Sequence, residues 1–143
     1  MQILVLYGPN LNLLGLVSRG AVRLTLDKLN RALRRKAQEL GVDLKIFQNQ
    51  SKAEASKIIQ RQRNRVEGIF LVPGIWAMTG HLIRETAAIT RLPLAVFHLE
   101  PEPGPWHGHE ASLFKEMALL EAKGATPEEL VAFLEHFAAR LTS

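Results

Sequence analysis

Short apolar runs alternate along this chain with longer segments in which apolar residues recur every three or four positions. Apolar runs stopped by Gly and Pro are typical of buried strands, whereas the longer periodic segments are typical of amphipathic helices. A last apolar run reads as a strand, although the overlapping segment 113–121 also fits a helix. The predicted strands are 3–7, 42–48, 68–72, 92–99 and 117–122.

The predicted helices begin at residues that commonly cap helices. Thr25, Ser51 and Thr126 each precede a periodic segment, and the last two open sequences with a capping Glu three residues later. A further helix is predicted at 80–90. Strands that alternate with helices imply right-handed βαβ units and a parallel sheet covered on both faces. We therefore expect one domain, 1–143, with a flavodoxin-like α/β fold: a three-layer sandwich around a five-stranded parallel sheet.

Composition narrows the chemistry that this domain can perform. The chain has 143 residues and no cysteine, which excludes disulfides, thiolate nucleophiles and Cys-ligated zinc. No apolar run approaches the ~20 residues that a membrane-spanning helix needs. The N-terminus enters a strand directly and lacks the basic and apolar pattern of a secretory leader. We expect a cytoplasmic protein with no membrane partner.

The charge balance raises the question of nucleic acid. The formal net charge is +4 and the sequence pI is about 9.8. Few aromatic residues accompany the basic ones, and no nucleic-acid-binding motif is recognisable, so solvated helix faces are the preferred interpretation and nucleic-acid binding is the weaker alternative. The basic residues in question lie on two predicted helices: Arg31, Arg34, Arg35, Lys36, Lys57, Arg61, Arg63 and Arg65.

Polar residues follow several predicted strands, where open α/β sheets bind ligands. Asn10 and Asn12 follow the first strand, and their short side chains can meet a ligand or simply close Asx turns. His98 ends the fourth strand. Its imidazole can serve as a general acid or base near neutral pH, or it can be a buried neutral ring bonded to backbone. The sequence therefore predicts a ligand crevice at this edge of the sheet.

The string GPNLNLLG at Gly8–Gly15, directly after a short strand, resembles the opening of type II 3-dehydroquinate dehydratases, and the order of elements is similar to the C-terminus. The resemblance implies the flavodoxin-like fold. It also implies loss of water from 3-dehydroquinate to give 3-dehydroshikimate, in the shikimate pathway, without a metal or organic cofactor. It further implies a homo-oligomer in which trimers assemble into a dodecamer.

The same resemblance suggests roles for individual residues. His98 and Leu99 match a His-Leu-Ser motif in which the histidine protonates the leaving hydroxyl, and backbone amides and the serine hydroxyl hold the substrate carboxylate. Leu99 and Glu100 therefore stand at substrate-binding positions. Asn10 matches the asparagine that orders a water at the developing enolate. Glu85 replaces an aspartate that reaches a neighbouring subunit's site, although an exposed helix carboxylate is an equally simple interpretation.

A second substrate-binding segment is only partly retained. Pro73, Gly74 and Thr79 match the pattern of the family, whereas Val72 and Met78 replace its substrate-binding asparagine and histidine. Each lost hydrogen bond weakens binding by ~1–3 kcal/mol. The resemblance therefore implies a weakened hold on the substrate.

The catalytic loop departs further from the family. A tyrosinate in this loop removes the substrate proton in the family reaction, assisted by a neighbouring arginine, but 16–23 contains no tyrosine. The chain has one tyrosine, Tyr7, and Arg19 or Arg23 matches the arginine only if the loop shifts. Glu100, in place of serine, repels a carboxylate at about 4 Å by ~1–4 kcal/mol unless it points to solvent. We therefore expect a dehydratase-like protein with weak or lost activity or a changed small substrate; the alternative is a non-catalytic small-ligand-binding or assembly protein.

Two further features invite a ligand. His107 and His109 could chelate a metal together with His98, but nothing in the sequence shows that the three converge, and no metal is expected. Trp76 and Trp106 could stack on a ring ligand. We prefer the interpretation that they form contact surfaces, with Ile75 and Met78 adding apolar area near Trp76.

Overall fold

A computed structural model describes residues 1–17, 23–100 and 112–143 of the chain. The strands are β1 (Gln2–Tyr7), β2 (Asp43–Gln48), β3 (Gly68–Val72), β4 (Leu94–Leu99) and β5 (Leu120–Gly124). The helices are α1 (Leu14–Val17), α2 (Leu26–Leu40), α3 (Lys52–Gln62), α4 (Trp76–Thr79), α5 (His81–Thr90) and α6 (Pro127–Thr142), and Leu11–Leu13 form a 3-10 turn.

The strands of the described residues form one parallel sheet in the order β2-β1-β3-β4-β5. Helices α2 and α6 pack on each other over one face of the sheet, and α3 and α5 pack on each other over the other face. This three-layer arrangement confirms the predicted flavodoxin-like α/β fold.

Two apolar clusters, one on each face, hold the layers together. Along β4, Ala95, Phe97 and Leu99 point to the α2/α6 face, whereas Leu94 and Val96 point to the α3/α5 face. Successive side chains of a strand alternate between faces. His98 is therefore directed to the α3/α5 face.

The three predicted helix caps are confirmed. Thr25 Oγ1 accepts a hydrogen bond from the Lys28 amide at 3.2 Å, and Ser51 Oγ accepts one from the Glu54 amide at 3.2 Å. Thr126 Oγ1 accepts from the Glu129 amide at 3.2 Å. These bonds satisfy amides in the first turns, which have no partner within the helix.

Several predicted boundaries differ from the structure. The last strand starts at Leu120 instead of 117, and residues 113–117 form turns, so the alternative helix at 113–121 is wrong. The fourth strand begins at Leu94, after Pro93, a residue that has no amide hydrogen for a ladder bond. The connection after β1, expected to be a loop, contains the 3-10 turn and α1.

Trp76 does not form a contact surface as expected. Only 2% of it is exposed, because it packs in the cluster on the α3/α5 face. Its neighbours Ile75 and Met78 are 39% and 46% exposed. Among the described residues, no helix is long and apolar enough to cross a membrane.

Candidate active site

The loops that follow β1 and β3 are joined closely at the carboxyl edge of the sheet. The Gly8 amide donates to the Val72 carbonyl at 2.8 Å, which extends the pairing of these strands beyond Tyr7. A Cβ at Gly8 would lie 2.0 Å from the Pro73 carbonyl oxygen. Glycine is therefore required at position 8, because only the absence of a side chain lets the two loops approach this closely.

The β3 loop then turns at Gly74. Its φ is 57°, a left-handed conformation that glycine adopts without strain. The carbonyls of Pro73 and Gly74 accept hydrogen bonds from the Trp76 and Ala77 amides, both at 3.1 Å. Pro73 and Gly74 thus lie directly beside the β1 loop, where the sequence placed them.

Asn10 is exposed and has a φ of 66°, a conformation that asparagine tolerates better than most residues. Its side chain makes no capping hydrogen bond to the turn that follows, so the Asx-turn interpretation does not hold. Instead, Asn10 Oδ1 accepts a hydrogen bond from Gln50 Nε2 at 3.0 Å, and the Asn10 amide donates to Gln50 Oε1 at 2.7 Å. Asn12 is exposed in the adjoining 3-10 turn.

His98 is buried, and its partner is a carboxylate. His98 Nε2 lies 2.6 Å from Glu121 Oε2, and the side chains of the two residues are 3% and 18% exposed. The burial agrees with the interpretation of His98 as a buried ring, and the bond to Glu121 is to a side chain. The Glu121 bond fixes the orientation of the imidazole.

Leu99 and Glu100 follow His98 and bring β4 to its end. The Leu99 side chain is buried in the α2/α6 face, and the Glu100 amide donates to the Gly124 carbonyl at 2.8 Å. This amide hydrogen is therefore used by the sheet. The Glu100 side chain is half-buried.

The remaining predicted site residues are less closely tied to this edge. Thr79 is exposed, and its hydroxyl donates to the Ile75 carbonyl at 3.3 Å. Glu85 is exposed on α5. Arg23 Nε donates to the Gly15 carbonyl at 2.6 Å. Arg19 lies outside the described residues.

Tyr7 is enclosed in the core. Its side chain is 0% exposed and belongs to the apolar cluster on the α2/α6 face. Burial raises the pKa of its phenol above the ordinary value, and the positive charge of Arg34 opposes this only in part. Its hydroxyl has no hydrogen-bond partner among the described residues. Tyr7 is therefore a neutral core residue at physiological pH.

The metal hypothesis gains no support from the part of the chain that the structure describes, which contains no group of three potential ligands among His, Asp and Glu. His107 and His109 lie outside the described residues, as does Trp106. The expectation of no metal stays a prediction.

The parallel sheet and its two helical layers define a flavodoxin-like α/β protein, and the carboxyl edge of the sheet, where such folds bind ligands, is its candidate site. The family model described as Dehydroquinase class II matches residues 1–125. A 3-dehydroquinate dehydratase from Geotalea daltonii is 38% identical over 100 residues, which cover 69% of this chain and 69% of the relative. Another from Nitrosomonas eutropha is 33% identical over 133 residues, covering 90% and 92%. The chain belongs to the class II dehydroquinase family.

Solved structures show the same fold. The type II dehydroquinase from Butyrivibrio crossotus matches with a TM-score of 0.83 at 18% identity, covering 100% of this chain and 98% of that chain. The enzyme from Propionibacterium acnes matches with a TM-score of 0.80 at 23% identity, covering 96% of each. At these identities the likeness establishes the fold and no more.

Three polar residues at the site were missed by sequence reasoning: Gln48, Gln50 and Glu121. All three lie on or beside strands at the two edges of the sheet. The alternation of Leu120, Glu121 and Ala122 is a weak signal that Glu121 points away from the α2/α6 face. It does not identify His98 as the partner.

Proposed function

We propose that this protein is a 3-dehydroquinate dehydratase-like member of its family, from the shikimate pathway, in which dehydration is weak or lost. The observation that carries the proposal is the burial of Tyr7. In the reaction implied by the family resemblance, a tyrosinate removes a proton bound to carbon. This chain has a single tyrosine, and that tyrosine is 0% exposed.

The position of Tyr7 argues against this role in two ways. A general base must come within hydrogen-bond distance of the proton that it removes, and a phenol that is 0% exposed inside the α2/α6 cluster is not accessible to a ligand at the surface. A base must also reach its ionised form, and burial raises the pKa of Tyr7, which opposes ionisation. Losing general-base catalysis typically lowers a rate by ~10²–10⁴-fold.

Other parts of the site support continued binding of a small polar ligand. His98 is held by Glu121 and can donate a proton, and Asn10 is held by Gln50 at the edge of the same sheet. A protein that binds a small ligand without turning it over, or that serves assembly, is therefore the second candidate function. The hydrogen bonds that orient His98 and Asn10 favour ligand binding.

The decisive experiment measures the conjugated enone product of 3-dehydroquinate by ultraviolet absorbance, using highly purified protein. We expect turnover to be absent or several orders of magnitude below that of a competent relative. His98→Ala, prepared identically, controls for a contaminating dehydratase because it removes the proposed proton donor. Robust turnover in the wild type that disappears in His98→Ala would overturn the proposal. Calorimetric titration with 3-dehydroquinate then separates a binding protein from one that has lost the ligand.

The protein is also proposed to be a homo-oligomer, with trimers assembling into a dodecamer as the family resemblance implies. Support comes from a row of apolar side chains on α4 and α5 that the single chain leaves in solvent. Met78, Leu82 and Ile89 are 46%, 46% and 73% exposed. Leu82 and Ile89 are seven residues apart on α5, a spacing that places them on one face of that helix, and Met78 lies on the short helix α4 before it. Glu85 lies within the same row and is exposed, so an interface there would bring it to a neighbouring chain.

A cytoplasmic location and the lack of a membrane partner stay predictions.

A further inference from the structure

A chain of side-chain amides connects β2 to the loop after β1. Gln48 Nε2 donates to the Gly8 carbonyl at 3.0 Å and to Gln50 Oε1 at 3.0 Å. Gln50 Oε1 also accepts the Asn10 backbone amide at 2.7 Å. Gln50 Nε2 then donates to Asn10 Oδ1 at 3.0 Å. Four hydrogen bonds thus link three carboxamides and two backbone groups.

The register of the sheet explains why these groups meet. Tyr7 pairs with Gln48 at the ends of β1 and β2, so the residues after Tyr7 run beside those after Gln48. The Asn49 amide continues the ladder by donating to the Tyr7 carbonyl at 3.2 Å. Residues two apart on an extended chain share a face, which places the Gln48 and Gln50 side chains together.

Backbone groups set the direction of every hydrogen bond in this network of side-chain amides, because backbone donor and acceptor atoms cannot be exchanged. Side-chain amides can be rotated by half a turn so that nitrogen and oxygen swap places, and only the surrounding network identifies the right orientation. The Gly8 carbonyl must accept, so Gln48 must present its nitrogen to it. The Asn10 backbone amide must donate, so Gln50 must present its oxygen to it.

These two constraints determine the orientation of Asn10. Because the oxygen of Gln50 faces the Asn10 backbone amide, the nitrogen of Gln50 faces the Asn10 side chain and can only donate. If the Asn10 side chain were rotated, its Nδ2 would lie 3.0 Å from Gln50 Nε2, and two donors would face each other. Asn10 must therefore keep Oδ1 on Gln50, which leaves its Nδ2 amino group as the part that it presents elsewhere.

We propose that Gln48 and Gln50 are positioning residues that make Asn10 a hydrogen-bond donor to the bound ligand. The group recognised by Asn10 is then an acceptor: a carbonyl or enolate oxygen, or the oxygen of a water. A water held by its oxygen directs its own hydrogens outward and stabilises negative charge on a neighbouring ligand oxygen. The inference rests on the proposed function, since it takes Asn10 as a ligand-contacting residue.

Gln50→Glu is the sharpest test because it changes the chemistry while keeping the size of the side chain. A glutamate at position 50 still accepts from the Asn10 backbone amide and from Gln48, but it cannot donate to Asn10 Oδ1. Asn10 must then turn its amino group towards position 50 and present its oxygen to the ligand. Gln50→Met removes both bonds to Asn10 without adding charge, and Gln38→Glu adds the same charge at an exposed position on α2.

Neutron diffraction from deuterated crystals of the wild type and of Gln50→Glu locates the amide deuterons directly. We expect them on the Asn10 atom that points away from Gln50 in the wild type, and on the atom that faces position 50 in the variant. Deuterons on the atom that faces Gln50 in the wild type, or an unchanged Asn10 in Gln50→Glu, overturn the inference. This readout does not depend on activity.

Calorimetric titration with 3-dehydroquinate addresses the ligand separately. We expect weaker binding by Gln50→Glu and Gln50→Met, and unchanged binding by Gln38→Glu. Equal affinity in the wild type and both Gln50 variants would show that Asn10 does not donate to this ligand and would overturn that part of the inference. If the wild type itself does not bind, the proposed ligand is wrong, while the diffraction result still decides the orientation of Asn10.

Discussion

His98 on β4 and Glu121 on β5 share a hydrogen bond of 2.6 Å between Nε2 and Oε2. The register pairs Val96 with Glu121 and His98 with Lys123, so Glu121 reaches His98 diagonally across the two strands. Diagonal neighbours in a sheet are within reach of long side chains. The edge strand β5 therefore supplies the partner of the proposed proton donor.

We expect Glu121→Ala to destabilise the protein more than Glu116→Ala does. Removing Glu121 takes a hydrogen bond of 2.6 Å from the buried His98 ring, and losing such a bond to a buried polar atom costs ~1–3 kcal/mol. Glu116 is an exposed carboxylate close in sequence, so its loss controls for the change of composition and charge. Chemical denaturation measures both free energies of unfolding. Equal values for the two variants would mean that the bond contributes nothing to stability.

The next prediction concerns Tyr7 and alkaline pH. The folded chain keeps this phenol protonated, since burial raises its pKa, whereas in the unfolded chain it ionises near pH 10. Above about pH 10 the unfolded state therefore binds fewer protons than the folded state at this group, and the free energy of unfolding falls as the pH rises. Tyr7→Phe removes this contribution. We expect its stability to decline less steeply than that of the wild type between about pH 10 and pH 11 in denaturation curves.

The same variant checks the role of Tyr7 in catalysis. The Tyr7 hydroxyl has no hydrogen-bond partner among the described residues, so Phe retains the packing and loses only this group. At neutral pH we expect stability to be retained or improved, and any residual dehydration to be unchanged. A loss of turnover in Tyr7→Phe without a loss of stability would contradict the assignment of Tyr7 to the core.

The sequence predicted the elements that depend on local signals. Thr25, Ser51 and Thr126 could be recognised as caps because a cap is defined by residues within four positions of each other. The Glu121 partner of His98 could not be recognised, because it depends on the order and register of two strands separated by 20 residues of chain. The links between Gln48, Gln50 and Asn10 have the same origin. They depend on the parallel pairing of β1 and β2.

Burial of single residues was also hard to predict from the sequence. Trp76 follows the Pro73-Gly74 turn and resembled a residue on an exposed loop, but the short helix α4 turns it into the α3/α5 face. Tyr7 ends an apolar strand, and the sequence did not show which face of the sheet its side chain contacts. Its assignment to the α2/α6 face follows from alternation with Ile3 and Val5, which belong to the same cluster.

Gly8→Ala should disturb the joined loops at the carboxyl edge. The new Cβ would meet the Pro73 carbonyl oxygen at 2.0 Å, and both are tied to the backbone, so one loop must move. Such overpacking typically costs ~1–3 kcal/mol. Gly41→Ala is the matched variant: its φ of 70° strains any side chain, but no atom lies within 4 Å of the new Cβ. We expect both variants to lose stability in thermal denaturation and only Gly8→Ala to lose affinity for 3-dehydroquinate. Equal affinity in the two variants would show that the ligand does not depend on this junction.

The proposed oligomer can be tested at Ile89, the most exposed member of the apolar row on α5. Lysine at this position places a charge within the proposed interface, which must then be desolvated on assembly. Leu16→Lys is the matched control, because Leu16 and Ile89 are each 73% exposed but lie on different elements. Light scattering at micromolar concentration should give several times the 16.0 kDa chain mass for the wild type and for Leu16→Lys, and a smaller mass for Ile89→Lys. A monomeric wild type would remove the proposal.

The last prediction is weak binding of nucleic acid despite the net charge of +4. The basic residues of α2 and α3 lie on opposite faces of the sheet, so one duplex can contact only one group at a time. Some of them are already paired: Arg31 with Asp27 at 2.8 Å and Lys57 with Glu54 at 3.4 Å.

Each phosphate contact contributes about −0.9 to the slope of log affinity against log salt. Contacts by the four basic residues named on one of the two helices therefore give a slope of about −4 at most. Binding at low salt should therefore fade as salt rises to the physiological range. Fluorescence anisotropy with a labelled duplex, measured over a salt series, gives this slope. The charge reversal Arg35→Glu on α2 and the matched reversal Arg61→Glu on α3 should each make the slope less steep by about 1, the share of one phosphate contact. Sub-micromolar affinity at physiological salt, with a preference for one sequence, would show instead that one of these faces is a nucleic-acid site.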